Sequence, residues 1–249
     1  MAGRLEGKVV LFAGAGGGMG TATPRLFAKE GAKVVVAARR AGPLEEIVAS
    51  IKAIGGDATL ATGDLTTEAG MQAVVEATEA AYGHLDIMFN NLGDSAGRGL
   101  QLHETPMEDW NYLADINLKA AYLCTRFAVP AFKKVGRGVI LHLSASYDIR
   151  ARGHAGYAAA KAGLIGLTQN TALAYRKDNI RVVCLCPNGM GGTFEGDGTE
   201  LPNPDIMRRG TSQDLAWAAL YFASDEASWM TGCVIPVDGG NELTTGTTP

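Results

Sequence analysis

Short apolar runs rich in β-branched residues alternate with longer amphipathic stretches along nearly the whole chain, and this alternation leaves few folds open to it. The candidate strands lie at 8–13, 33–37, 58–62, 85–90, 138–144, 180–186 and 233–237. The candidate helices lie near 19–30, 43–54, 67–82, 107–134, 156–177 and 212–223. Most strand segments are apolar throughout instead of alternating with polar residues, the pattern of parallel strands covered on both faces. Strand and helix in succession predict an α/β fold, a doubly wound parallel sheet with helices on both sides. No linker rich in Pro, Ser or charge, no fixed-period repeat and no low-complexity segment interrupts the 249 residues, so one domain over 1–249 is expected. The one long irregular stretch, 187–210, holds several Gly and Pro and reads as a substrate lid.

Charge and composition narrow the function. With 22 Lys+Arg against 26 Asp+Glu the formal net charge is −4, and no long basic run occurs, so the electrostatic footprint of a nucleic-acid binder is missing. An apolar fraction of 47% is too high for a disordered chain. The apolar run at 9–19 follows Arg4 and Lys8, but five glycines between Gly14 and Gly20 oppose the helix a signal peptide would need. No uninterrupted apolar stretch is long enough to span a membrane. Cys124, Cys184, Cys186 and Cys233 form no CxxC pair and no Cys/His cluster, and read as free thiols in a reducing cytosol. A cytoplasmic protein is expected. His84, His103, His142 and His154 have no metal-ligand spacing, so no metal site is expected.

Glycine is the compositional outlier, 33 of 249 residues or about 13% against an ordinary share of roughly 7%. The first strand runs directly into Gly14-Ala15-Gly16-Gly17-Gly18-Met19-Gly20 and then a helix. Such a turn lets bare backbone approach a pyrophosphate and aims amide N–H groups and the helix dipole at it. A GxGxxG spacing fails at Met19, whereas GxxxGxG fits through Gly14, Gly18 and Gly20. The second strand ends at Ala37-Ala38-Arg39-Arg40. An acidic residue there would hold a ribose 2′-hydroxyl; small residues followed by Arg39 and Arg40 suit a 2′-phosphate and favour NADP(H) over NAD(H).

Tyr157 and Lys161, in Tyr157-Ala158-Ala159-Ala160-Lys161, share one helix face. An ammonium close to a phenol is expected to lower its pKa from about 10 toward neutrality, which suits general acid/base work. With Ser144 thirteen residues upstream of Tyr157 and Asn117 forty upstream, the pattern resembles the short-chain dehydrogenase/reductase family. Asn90-Asn91-Leu92-Gly93 is similar to the family's Asn-Asn-Ala-Gly, Asp64-Leu65 to its adenine-contacting pair, and Val237-Asp238-Gly239-Gly240 to its C-terminal signature. The resemblance covers nearly the whole chain. It implies a Rossmann fold with seven parallel strands in the order 3-2-1-4-5-6-7, a homotetramer, and hydride transfer between NADP(H) and a small carbonyl or alcohol substrate. Tyr157 would move the proton and Ser144 would bind the reacting oxygen. Lys161 would tune Tyr157 and hold the ribose, and Asn117 would support a relay water. Gly14, Gly16, Gly17, Gly18, Met19, Gly20, Arg39, Arg40, Asp64, Leu65, Asn91, Gly93, Pro187, Gly189, Met190 and Thr193 would join Tyr157 and Lys161 around the cofactor.

Two departures from the family stand out. Its opening threonine is Ala13, and its Pro-Gly becomes Pro187-Asn188-Gly189, with Thr193 one position late. Ser146 rivals Ser144, but the spacing to Tyr157 in the family it resembles selects Ser144. His142 and His154 read as structural; Asp94 and Ser95 are placed to reach substrate, and Trp110, Phe194 and Met207 serve packing at least as well as a pocket. Epimerisation, isomerisation or imine reduction on the same scaffold is the alternative chemistry. A catalytically silent nucleotide-binding protein is the alternative class, and it would have no use for the tyrosine.

Overall fold

The computed structural model describes residues 3–16, 18–95, 102–192 and 197–244. Seven strands, β1 (Val9–Ala13), β2 (Lys33–Ala38), β3 (Asp57–Thr62), β4 (Ile87–Asn90), β5 (Gly138–Leu143), β6 (Ile180–Pro187) and β7 (Val234–Val237), form one parallel sheet. Their order is β3-β2-β1-β4-β5-β6-β7, as the resemblance implied. The helices are α1 (Ala22–Lys29), α2 (Ala41–Ala53), α3 (Glu68–Tyr82), α4 (Met107–Ala114), α5 (Ala120–Val135), α6 (Tyr147–Arg152), α7 (Ala155–Tyr175) and α8 (Ser212–Ala223).

Each buried strand feeds two cores at once. In β1, Val10 and Phe12 pack with α1, α2 and α8, while Leu11 and Ala13 pack with α3, α5 and α7. Both faces of the sheet are therefore apolar, which is why the strands read as continuous hydrophobic runs. Phe12 stacks on Phe89 of β4 at 4.5 Å between ring centroids, and Phe27 of α1 meets Phe89 edge-on. This trio fixes β1 against β4, the pair from which the chain winds away in opposite directions.

Three local features differ from the sequence expectation. The helix expected over 19–30 starts only at Ala22, because the glycine run supports no more than a 3₁₀ turn at Gly18–Gly20. The long helix expected over 107–134 is broken into α4 and α5 by a π-helical turn, Asp115–Lys119. α6 was not expected at all, since six residues are too few to show helical periodicity.

Residues 197–210 form no helix or strand, yet they are tied down. Arg208 grips Asp214 of α8 through both carboxylate oxygens at 2.6 and 2.7 Å. Trp217 Nε1 donates to the Glu200 carbonyl, and Lys29 Nζ of α1 to Thr199 Oγ1.

Glycine 138 tests the packing of β5 on α5. An added Cβ there would stand 2.2 Å from Phe132 Cγ, whereas one at Gly42 meets nothing within 4 Å. Gly138→Ala is expected to cost about 1–3 kcal/mol by overpacking. Gly42→Ala is expected to keep or slightly raise the stability. Urea unfolding midpoints of the two variants check both.

Candidate active site

β1 and β4 end side by side, and the chain leaves them in opposite directions. The space between the departing loops is where ligands bind in such sheets. Here it is a cleft of about 310 Å³ whose walls include Gly14, Gly16, Arg39, Arg40, Asp64, Leu65, Asn91 and Gly93, eight of the residues expected to hold a cofactor. Gly18, Met19 and Gly20 form the adjoining 3₁₀ turn. Gly17, Thr193 and Phe194 lie outside the described residues.

Two glycines are dictated by this geometry. Gly14 has φ +91° and Gly16 φ +121°, both in the region that disfavours side chains. A Cβ on Gly14 would also come within 2.8 Å of the Leu92 backbone nitrogen. Asn91 Nδ2 donates to the Gly14 carbonyl at 2.7 Å, which ties the two loops together, while Asn91 Oδ1 is buried with no partner among the described residues. A bare-backbone cradle with an unmet buried acceptor fits a dinucleotide. Asp64 accepts from the Thr66 amide and hydroxyl, which holds its carboxyl below the usual carboxylate range.

The four expected catalytic residues gather at the end of this cleft nearer β5. Asn117 sits in the π-helical turn, buried, with Oδ1 accepting from the Asp94 amide at 3.2 Å. Its Nδ2 donates to the carbonyls of Asp94 and Leu113 at 2.8 and 3.0 Å. Ser144, just past β5, is buried and donates from Oγ to the Lys161 carbonyl at 2.6 Å. Tyr157 lies in the first turn of α7, which His154 caps by accepting the Gly156 N–H on Nδ1. Lys161 is buried, and its Nζ donates to the Leu143 carbonyl at 2.8 Å and to the Leu92 carbonyl at 3.4 Å. A Cβ on Gly93 would stand 2.9 Å from Lys161 Nζ and 3.0 Å from Asn117 Oδ1, so this glycine marks where both side chains meet the cleft.

The electrostatics correct one expectation. Lys161 Nζ lies 5.8 Å from the Tyr157 ring centroid, and its donors are directed at carbonyls. Burial raises the Tyr157 pKa, and the Arg150 charge draws it the other way. Lys161 itself is pushed down to about 8 by burial. The lysine thus yields part of its own charge before it can stabilise a phenolate.

The remaining residues sort cleanly. His142 is buried between Asn90 Nδ2 and Thr125 Oγ1, and burial drives its pKa to about 3, so it is neutral and structural. Ser146 Oγ is buried without a partner. Asp94 accepts from the Tyr112 hydroxyl at 2.6 Å. Met207 is 88% exposed. All four cysteines are free. Among the described residues no three His, Cys, Asp or Glu side chains are grouped to hold a metal.

The Pro-Asn-Gly departure also has a structural meaning. Pro187 closes β6, and the Asn188 amide donates to the Val237 carbonyl, the bond that completes the Pro187–Val237 pair at the end of the β6–β7 ladder. The turn comes one residue later, at Gly189 with φ +66°. Met190 follows it and packs toward Gly210. Sequence reasoning missed α6 and its Arg150; the arginine stands in no recognised motif.

Lys161 also gives the site a pH signature. The unfolded chain holds this proton up to the ordinary value of 10.5, the folded protein only to about 8. Between those values the unfolded chain binds more protons, so stability rises with pH. Below pH 8 the buried charge costs its full amount, roughly 3 kcal/mol. The stability of the wild type relative to Lys161→Met is therefore expected to climb from pH 8 to 10.5 in urea titrations, and a flat difference would contradict the assignment.

A family model described as enoyl-(acyl carrier protein) reductase matches residues 14–242. The chain is 34% identical to the 2,5-dichloro-2,5-cyclohexadiene-1,4-diol dehydrogenase LinX of Sphingobium indicum, over 96% of this chain and 98% of that protein. It is 35% identical to the 3-oxoacyl-(acyl-carrier-protein) reductase FabG of Thermotoga maritima, over 95% of this chain and 98% of that one. Among solved structures it is similar to a 7α-hydroxysteroid dehydrogenase complexed with NADH and 7-oxo glycochenodeoxycholic acid, with 29% identity, a TM-score of 0.83 and 95% of each chain covered.

Proposed function

The chain belongs to the short-chain dehydrogenase/reductase family of oxidoreductases acting on alcohols and carbonyls, and from that premise we propose that it is an NADP(H)-dependent carbonyl reductase with Tyr157 as general acid. The observation that carries this reading is the meeting of Asn117 and Lys161 at Gly93, with Ser144 and Tyr157 alongside, at one end of the glycine-walled cleft. When bound there, the nicotinamide supplies or accepts the hydride.

Every other step belongs to the chain. Burial keeps the Tyr157 phenol protonated at neutral pH, the state a proton donor to a carbonyl oxygen needs. Ser144 gives up the Lys161 carbonyl and turns its hydroxyl to the same oxygen. Lys161, held between the ends of β4 and β5, is the polar group behind the tyrosine and faces the position expected for the ribose. Asn117 holds the backbone at Asp94, and so sets the wall opposite Tyr157. For the cofactor's 2′-phosphate, support comes from Arg39 and Arg40, exposed at the cleft rim where an acidic residue would exclude it. Residues 187–210 are the substrate lid in this reading. A cytosolic homotetramer completes it, supported by the exposed Tyr122 of α5 and Leu173 of α7; no described helix is long and apolar enough to cross a membrane.

NADPH oxidation against a panel of carbonyls tests the reaction. Tyr157→Phe is expected to bind NADPH as the wild type does and to lose about 10²–10⁴-fold in turnover. Nucleotide binding by both proteins with no turnover of any carbonyl would leave only a nucleotide-binding protein. The wild type is also expected to prefer NADPH to NADH, and Arg39→Asp to reverse the order; a wild-type preference for NADH would refute the role of the arginines.

A further inference from the structure

The reacting end of the site faces a charge that the four-residue constellation does not contain. α6 begins three residues after Ser144, and its C-terminal end lies against Tyr157: a Cβ on Gly153 would stand 3.0 Å from Tyr157 Cδ1. From this helix Arg150 turns its guanidinium back and donates to the Ala145 carbonyl, next to Ser144. The side chain thus reaches from the serine side of the site toward the tyrosine.

Asp148, on the same helix, is bound to Arg152 at 2.6 Å. Glu242, brought over by the C-terminal 3₁₀ turn, accepts the Tyr147 amide. Among the described residues no carboxylate lies within ion-pair distance of Arg150. Lys161 is the other cation on this side, and its ammonium is directed at two carbonyls. Arg150 draws down the Tyr157 phenol, and it draws down the Cys186 thiol against the opposing charge of Glu242. A half-buried guanidinium that spends one donor on a backbone carbonyl keeps others for an anion.

We propose that Arg150 receives a carboxylate of the substrate, so that the protein acts on keto acids or hydroxy acids rather than on neutral ketones. This rests on the carbonyl reductase reading. A lone guanidinium matches a carboxylate in charge and in the geometry of its paired N–H donors, whereas a phosphate dianion would stay half neutralised. The exposed Tyr147 ring lies one turn earlier on the same face, beside the path of the substrate's apolar body.

Matched pairs of keto acids and their methyl esters, such as an acetylbenzoate and its ester, separate charge from shape. Calorimetric binding to the enzyme–NADPH complex and steady-state reduction are measured for the wild type, Arg150→Gln and Arg150→Lys. The acid is expected to bind at least about tenfold tighter than its ester in the wild type. Arg150→Gln should erase that difference in affinity and in KM while the affinities for the ester and for NADPH stay as in the wild type, any change of kcat through Tyr157 falling equally on acid and ester, and Arg150→Lys should restore part of the difference. Equal binding of acid and ester by the wild type overturns the inference, whether or not turnover is seen. So does an Arg150→Gln defect equal for acid and ester, with the acid limb of the kcat profile displaced, which would confine Arg150 to tuning Tyr157. Absence of turnover with a preserved acid preference would instead remove the reductase reading and leave the carboxylate site standing.

Discussion

The side-by-side termination of β1 and β4 governs what this protein can do. Two parallel strands that meet at Ala13 and Asn90 send their chains to opposite sides, which opens a gap above them. Keeping that gap narrow requires the loop after β1 to pass under the loop after β4 at van der Waals distance. A side chain at position 14 would meet the backbone of Asn91 and Leu92, and the φ angles at Gly14 and Gly16 oppose one as well. The stacked Phe12 and Phe89 rings secure the strand pair from below, and the Asn91 amide ties the loops from above. The glycine at position 14 therefore reflects a distance between two backbones.

Around this gap the protein maintains charged groups against their own solvation. Lys161 is enclosed, and two backbone carbonyls offset part of the cost of removing an ammonium from water. The same enclosure raises the phenol of Tyr157 and lowers the imidazole of His142. All three shifts have one cause, a medium that disfavours charge, and each lands on a group with a different task. Lysine is brought close to its titration range, tyrosine keeps its proton, and histidine becomes a neutral link between Asn90 and Thr125.

Much of this was legible in the residues, and the remainder was hidden for identifiable reasons. Strand positions were readable because burial on two faces removes polar interruptions, and the strand ends shifted by no more than two residues. Tyr157 and Lys161 were placed on one face by helical spacing, whereas Ser144 and Asn117 were named by the family resemblance, and the fold brings all four toward one end of the cleft. The π-helical turn around Asn117 was not readable, because one extra residue in a helical turn leaves the apolar pattern nearly intact. Nor was the placement of Lys161: spacing put it near Tyr157, but the carbonyls that claim its donors come from β4 and β5, remote in sequence. α6 fell below the length at which periodicity carries information, and Arg150 was hidden with it.

Asn188 shows how the end of a ladder fixes a turn. Its amide gives the bond to the Val237 carbonyl that closes the Pro187–Val237 pair, the last of the β6–β7 ladder. Only beyond it does the chain take the left-handed backbone of Gly189. The following segment therefore departs from a point held by the edge of the sheet, and a slip of one residue in that ladder would carry the point roughly 3.3 Å along the strand.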